Sequence, residues 1–100
     1  MPEHPLLVFE KLDPEVLAHL RRMDDFVFAS GALPRKVKLL IAMAFDAAHG
    51  AVNGVRALAT AAMQEGATPV EIAEVLRVAG HLAGVGAFYT AASALREVVE

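Results

Sequence analysis

Cysteine is absent from this sequence of 100 residues. Its absence excludes disulfides, thiol nucleophiles, iron–sulfur ligation and every zinc site that uses cysteine. Basic residues are also few, since nine Lys and Arg stand against twelve Asp and Glu, which leaves a formal charge of −3. This charge has the wrong sign for a general phosphate-binding surface, so we expect no nucleic-acid partner.

The sequence contains no proline-rich or serine-rich linker, low-complexity tract or long repeat that would divide it. Its length is that of one domain, which excludes TIM-barrel and Rossmann enzymes. Hydrophobic residues make up 56% of the chain and charged residues 21%, which favours a folded protein over a disordered one. The amino terminus lacks the pattern of a secretion signal, so a cytoplasmic location is the default expectation.

The uncharged stretch from Val78 to Leu95 is close to the minimum length of a membrane span. It contains three glycines and several polar side chains, which would give a lone helix in lipid low net hydrophobicity. We therefore interpret it as packed protein interior and expect no membrane partner.

Apolar residues recur at intervals of three and four, and no segment shows sustained alternation. This spacing predicts an all-α fold, a compact five-helix domain. Asp13 and Pro14 are a cap and first residue for the first helix, and Thr68-Pro69-Val70-Glu71 is a capping box for the fourth. Glycines 80, 84 and 86 are expected to interrupt the fourth helix. The predicted helices span about residues 13–30, 33–48, 51–66, 68–83 and 87–99.

The second predicted helix has two unusual features. Arg35, Lys36 and Lys38 lie in its first turns, where positive charge is unfavourable, so an acidic partner is expected to offset them. From Leu39 to Ala48 its residues are apolar except for Asp46, so the whole circumference must be surrounded by protein. A lone chain of 100 residues has too little interior for this, which predicts a homo-oligomer.

Two stretches carry a resemblance to a known family. Residues 31–44 (GALPRKVKLLIAMA) with the apolar run as far as Gly50, and residues 65–76 (EGATPVEIAEVL), resemble the carboxymuconolactone decarboxylase family, whose superfamily includes the alkylhydroperoxidase D-like proteins. The resemblance runs from about Leu12 to Leu95, and we expect one such domain over residues 1–100. It implies an all-helical fold, assembled as a trimer or hexamer.

The resemblance also locates the family's reactive positions. In peroxidase-like members a Cys-x-x-Cys pair begins the helix after the apolar one, and these two positions fall here at Ala51 and Gly54. The accompanying histidine falls at Leu58 and the glutamate near Leu39. None of these residues carries a nucleophile or a proton donor, so thiol peroxidase activity is excluded. The decarboxylase branch needs no cofactor, but it keeps a histidine where this chain has Leu58.

The remaining polar candidates form a stripe. Asp46, His49, Asn53, Arg56 and Thr60 are three or four residues apart, which places them on one face if the second and third helices are nearly continuous. In the functional interpretation, Arg56 and Asn53 bind a small organic acid and His49 is a general base oriented by Asp46. The alternative, which we favour, is that a buried Asp46 pairs with an arginine for purely structural reasons.

His81 and Tyr89 are two further candidates for substrate binding, because they lie near glycines where backbones approach a ligand. The favoured alternative is that both are interior groups hydrogen-bonded to carbonyls. The four histidines lack the spacing of metal ligands, and the glycines match neither a phosphate loop nor a dinucleotide fingerprint. We therefore expect no metal and no cofactor.

Two functions remain open after these considerations. The leading hypothesis is a homo-oligomeric binding or structural protein without thiol chemistry. The alternative is a cofactor-free lyase, isomerase or decarboxylase that acts on a small carboxylate by histidine acid–base catalysis.

Overall fold

A computed structural model describes residues 5–98. A 3-10 helix over Pro5–Val8 precedes six α-helices, and no strand is present in this part of the chain. The all-α prediction is confirmed, but the count of five helices is wrong. The additional helix has only four residues, too few to show a periodic pattern. The six helices are α1 (Phe9–Leu12), α2 (Pro14–Phe28), α3 (Arg35–Ala48), α4 (Val52–Gln64), α5 (Pro69–Ala83) and α6 (Gly86–Leu95).

Helix starts follow the predicted caps. The Asp13 carboxylate accepts a hydrogen bond from the backbone amide of Val16 at 3.0 Å, and Pro14 is the first residue of α2. At α5 the Thr68 hydroxyl accepts from the Glu71 amide at 3.1 Å, while the Glu71 carboxylate accepts from the Thr68 amide at 2.9 Å. Both halves of the capping box are therefore formed, and α5 begins where the sequence predicts.

The positive charge at the start of α3 is offset by acidic residues, as expected. Lys36 Nζ lies 3.1 Å from Glu71 Oε2, and Arg35 Nε lies 3.4 Å from Glu65 Oε1. The backbone hydrogen bond from Thr68 and, second, the bond from Lys36 hold the pKa of Glu71 below its ordinary value of 4.5. The Lys36 contact joins the first turns of α3 and α5, and the Arg35 contact joins the start of α3 to the end of α4.

The core of the domain lies between α3, α4, α5 and α6. Met43 and Val55 are the largest side chains with no exposed surface. Helices α3 and α5 run in the same direction, because Lys36 meets Glu71 at their first turns and Phe45 meets Leu82 across one groove near their last turns. Buried side chains of all four helices form one apolar cluster.

Gly80 does not interrupt its helix, contrary to the expectation. Helix α5 continues through this residue to Ala83, and Gly84, with a φ of 102°, follows its end. A side chain at Gly80 would overlap the ring of Phe88 from α6. The glycine is therefore required for the close approach of two helices, and a sequence pattern does not distinguish that role from a break.

Helix α2 lies outside this core. Leu17 is its one buried residue, and it does not belong to the main apolar cluster. Phe28, at the end of α2, packs against that cluster while partly exposed. The last predicted helix is also shorter than expected, since α6 ends at Leu95 and Val99 lies outside the described residues. None of the helices between residues 5 and 98 is long and apolar enough to cross a bilayer.

Candidate functional site

The predicted polar stripe spans the connection between α3 and α4. This connection is a true break, because α3 ends at Ala48, α4 begins at Val52 and Gly50 has a φ of 77°. The two helices are therefore not continuous, and the condition that places the whole stripe on one face is not met. The assignment of these residues to a site stays a prediction, and Asp46 and Arg56 contact different elements of the fold.

Asp46 lies against the first turn of α4. Its carboxylate is so close to the Cα of Gly54 that a Cβ there would overlap Oδ2 and would lie 2.8 Å from Cγ. The main-chain oxygen of Asp46 accepts from the Ala51 amide at 2.9 Å. Negative charge beside the first turn of a helix is favourable, because the unpaired amides there carry partial positive charge. Asp46 thus links the end of α3 to the start of α4 through both its side chain and its main-chain oxygen.

His49 lies at the rim of this corner. Its ring stacks on Phe45, with 6.4 Å between the ring centroids and 30° between the planes. In the described part of the chain no hydrogen bond or ion pair joins His49 to Asp46. His49 is exposed, so its imidazole is open to solvent rather than held by a carboxylate.

The guanidinium of Arg56 points towards α6. Its Nε donates to the carbonyl oxygen of Ala94 at 3.2 Å, and Nη2 donates to that of Ser93 at 3.5 Å. Nη1 donates to Asn53 Oδ1 at 3.0 Å. The two carbonyls belong to the last turn of α6, where carbonyl oxygens have no amide partner within the helix. Arg56 therefore caps α6. None of the ion pairs among the described residues involves Asp46, so the favoured pairing of Asp46 with an arginine is wrong within this part of the chain.

Arg56 also borders a surface cavity near the end of α6. This cavity has a volume of about 570 Å³ and is open to solvent, and Thr60 contributes to its wall. A guanidinium has five N–H groups. Three of those of Arg56 are donated within the protein, so two remain for a carboxylate.

His81 and Tyr89 are both on the surface. Tyr89 has 73% of its area exposed, and His81 is also exposed. The interpretation of both residues as interior groups hydrogen-bonded to carbonyls is therefore wrong. Their use in substrate binding stays a prediction. Among the described residues no group of three His, Asp or Glu side chains is close enough together to hold a metal ion.

The chain is similar to one family of known proteins. The model of the carboxymuconolactone decarboxylase family matches residues 14–97. The chain belongs to this family. A crystal structure of a ligand-free carboxymuconolactone decarboxylase family protein from Legionella pneumophila matches with a TM-score of 0.83 and 30% identity, covering 91% of this chain and 81% of that chain. No curated protein sequence matches.

Of the positions that the family resemblance marks as reactive, Ala51 and Gly54 lie at the corner of α3 and α4, whereas Leu39 lies near the start of α3 and Leu58 in the middle of α4. Leu39 is buried and Leu58 packs half-buried against the core. Ala51 precedes α4, and Gly54 is covered by the carboxylate of Asp46. Sequence reasoning missed this last contact. The one signal for it was a glycine eight residues after Asp46, the single charge in the apolar run from Leu39 to Ala48.

Proposed function

We propose that the protein is a homo-oligomeric binding or structural member of the carboxymuconolactone decarboxylase family, without thiol peroxidase chemistry. The observation that supports this most directly is the chemistry of the side chains at the positions that the resemblance marks as reactive, on α3, on α4 and between them. Methyl, hydrogen and isobutyl groups occupy the four positions at which the resemblance places reactive groups. The space beside Gly54 is taken by the carboxylate of Asp46, which leaves no room for a side chain there.

Self-association is supported by apolar surface that one chain leaves uncovered. Helix α3 was expected to be surrounded by protein on every side, yet Phe45 has 61% of its area exposed. Monomeric proteins rarely expose large contiguous apolar patches. We propose a trimer or a hexamer, the assemblies that the family resemblance implies.

Two measurements test this proposal. Size-exclusion chromatography with light scattering is expected to give a mass of three or six chains, and a stable monomer would overturn the assembly. Peroxide consumption with a dithiol donor is expected to equal that of buffer containing no protein. Turnover by metal-free protein would overturn the exclusion of peroxidase chemistry.

The alternative function is a cofactor-free lyase, isomerase or decarboxylase. It is supported by the cavity beside Arg56, since the two remaining N–H groups suit a small carboxylate. The bonds from Arg56 to Asn53 and α6 favour a structural role instead, as does the lack of a hydrogen bond between Asp46 and His49 in the described chain.

Carboxymuconolactone is the probe that separates the two functions. We expect no release of carbon dioxide above background between pH 5 and 9. Release that depends on pH, and that is lost in a His49→Ala variant of unchanged mass, would establish the alternative.

A further inference from the structure

Six side chains from two elements border the cavity beside Arg56. Four have the spacing of one face of α4 and two follow the last turn of α6: Arg56, Thr60, Met63 and Gln64, and then Glu97 and Val98. The cavity volume of about 570 Å³ lies within the range of roughly 300–1,000 Å³ that is usual for small-molecule sites. The cavity is therefore large enough to hold a small molecule.

Arg56 brings a positive charge that is already held in place. Its bonds to the Ala94 carbonyl and to Asn53 Oδ1 fix the guanidinium at one side of the cavity. Two of its N–H groups remain, and such groups bind carboxylates through charge-assisted hydrogen bonds. A side chain that is fixed before binding loses little conformational entropy when a ligand arrives. This side of the cavity thus suits a carboxylate.

Glu97 brings a negative charge to the same cavity. Its side chain is exposed, and within the part of the chain that the structure describes it has no ion pair or hydrogen bond, either with Arg56 or with another residue. Opposite charges therefore border one cavity without neutralising each other. A ligand with a carboxylate alone would be repelled by Glu97, whereas a ligand that also carries an ammonium group is attracted by both residues.

The remaining walls suit a short neutral chain. The Thr60 hydroxyl and the Gln64 side-chain amide each donate and accept hydrogen bonds. Met63 and Val98 are apolar and half-buried, so they offer contact to hydrocarbon. We propose that this cavity binds a small aliphatic zwitterion, which is a molecule with one carboxylate, one ammonium group and a short hydrocarbon chain. This assignment rests on the binding role in the proposed function and names the class of ligand.

Calorimetric titration of the assembled protein tests the ligand class. The probes are L-leucine, in which the two charged groups are attached to one carbon, and 5-aminopentanoate, in which they are further apart. Each is compared with its analogue without the ammonium group, 4-methylpentanoate or pentanoate, and with its analogue without the carboxylate, 3-methylbutylamine or butylamine. At least one zwitterion is expected to bind about fivefold or more tightly than both of its analogues.

Glu97→Gln tests the wall that attracts the ammonium group. The substitution keeps the size of the side chain and removes no bond within the described chain, so the fold is expected to be unchanged. The affinity for the zwitterion is expected to fall about fivefold, the scale of one exposed charge pair. The affinity for the matching carboxylate is expected to rise, because the repulsion is removed. A damaged fold would lower both affinities.

Glu74→Gln is the matched control. It makes the same change of charge at an exposed residue of α5 that does not border this cavity. Both affinities are expected to equal those of the wild type. This comparison separates a local effect of Glu97 from the effect of net charge.

The outcomes separate the ligand class from the proposed function. If neither zwitterion binds, if neither exceeds its analogues, or if Glu97→Gln leaves the affinity for the zwitterion unchanged, the assigned ligand class is wrong. A protein that still assembles and consumes no peroxide then satisfies the proposed function. Zwitterion binding by a monomeric wild type would uphold the ligand class and overturn the assembly. If a carboxylate binds more tightly than its zwitterion, the cavity takes simple organic acids instead.

Discussion

Gly54→Ala is a substitution whose effect depends on one neighbouring carboxylate. In a helix, alanine in place of glycine ordinarily adds stability, about 0.5–1 kcal/mol, because glycine loses more backbone freedom on folding. Here the new Cβ would overlap Asp46 Oδ2 and lie 2.8 Å from Cγ. Carbon atoms pack best at about 3.5–4.0 Å, so the carboxylate must leave.

The cost of moving the carboxylate has two parts. Forcing Asp46 away from its preferred rotamer costs about 0.5–1.5 kcal/mol. Removing its charge from the first turn of α4 costs about 0.3–1 kcal/mol at a partly exposed site. Set against the gain from alanine, the middle of these ranges predicts that Gly54→Ala lowers the free energy of unfolding by about 1 kcal/mol, and their upper end by about 2 kcal/mol. In an Asp46→Ala background the same substitution is expected to raise stability by about 0.5–1 kcal/mol.

A double-mutant cycle measures this reversal of sign. Urea unfolding gives the free energy of unfolding of the wild type, of the two single variants and of the double variant. All four are measured at one protein concentration, because association would otherwise shift the midpoints. Ala57→Gly is the control, since Ala57 is exposed on the same helix and reports the intrinsic cost of glycine there. If Gly54→Ala stabilises the protein equally with and without Asp46, the carboxylate does not fill the space beside Gly54.

Two further predictions concern α5. Because the folded-state pKa of Glu71 is lowered, its contribution is present above the ordinary value of 4.5 and is lost as the pH falls through the folded-state value. The urea midpoint of the wild type should therefore fall more in acid than that of Glu71→Gln, and parallel pH profiles would contradict this. Gly80→Ala should destabilise by about 1–3 kcal/mol through overlap with the Phe88 ring, and a Phe88→Ala background should remove most of that penalty. An equal penalty in both backgrounds would show that the ring is not the cause.

The family and the helical class could be predicted from the sequence because both depend on local signals. Caps such as Asp13 and the capping box at Thr68 depend on residues within one turn, and each is formed as predicted. The pairing of Lys36 with an acidic residue was expected from helix electrostatics, but not the identity of Glu71, which lies 35 positions away. The additional helix α1 was missed because four residues are too few to show a periodicity.

The roles of the glycines are the clearest case that sequence patterns do not predict. Gly50 and Gly84 have the positive φ values of true breaks, whereas Gly80 lies inside a helix beneath an aromatic ring. The same residue type serves both purposes, and only the neighbour in space distinguishes them. Arg56 is a similar case, because its spacing fits a shared face with Asp46 while its donors reach the carbonyls of α6.

The sequence by itself determined that this protein is helical, where most of its helices begin, and that no thiol takes part in its chemistry. These properties follow from side-chain type and from contacts within a few residues along the chain. Only the tertiary structure decided that Asp46 lies against Gly54, that Arg56 is committed to α6, and that Phe45 and Phe26 stay uncovered. Those facts depend on how distant helices approach one another, and this approach is set by packing volume rather than by any local pattern.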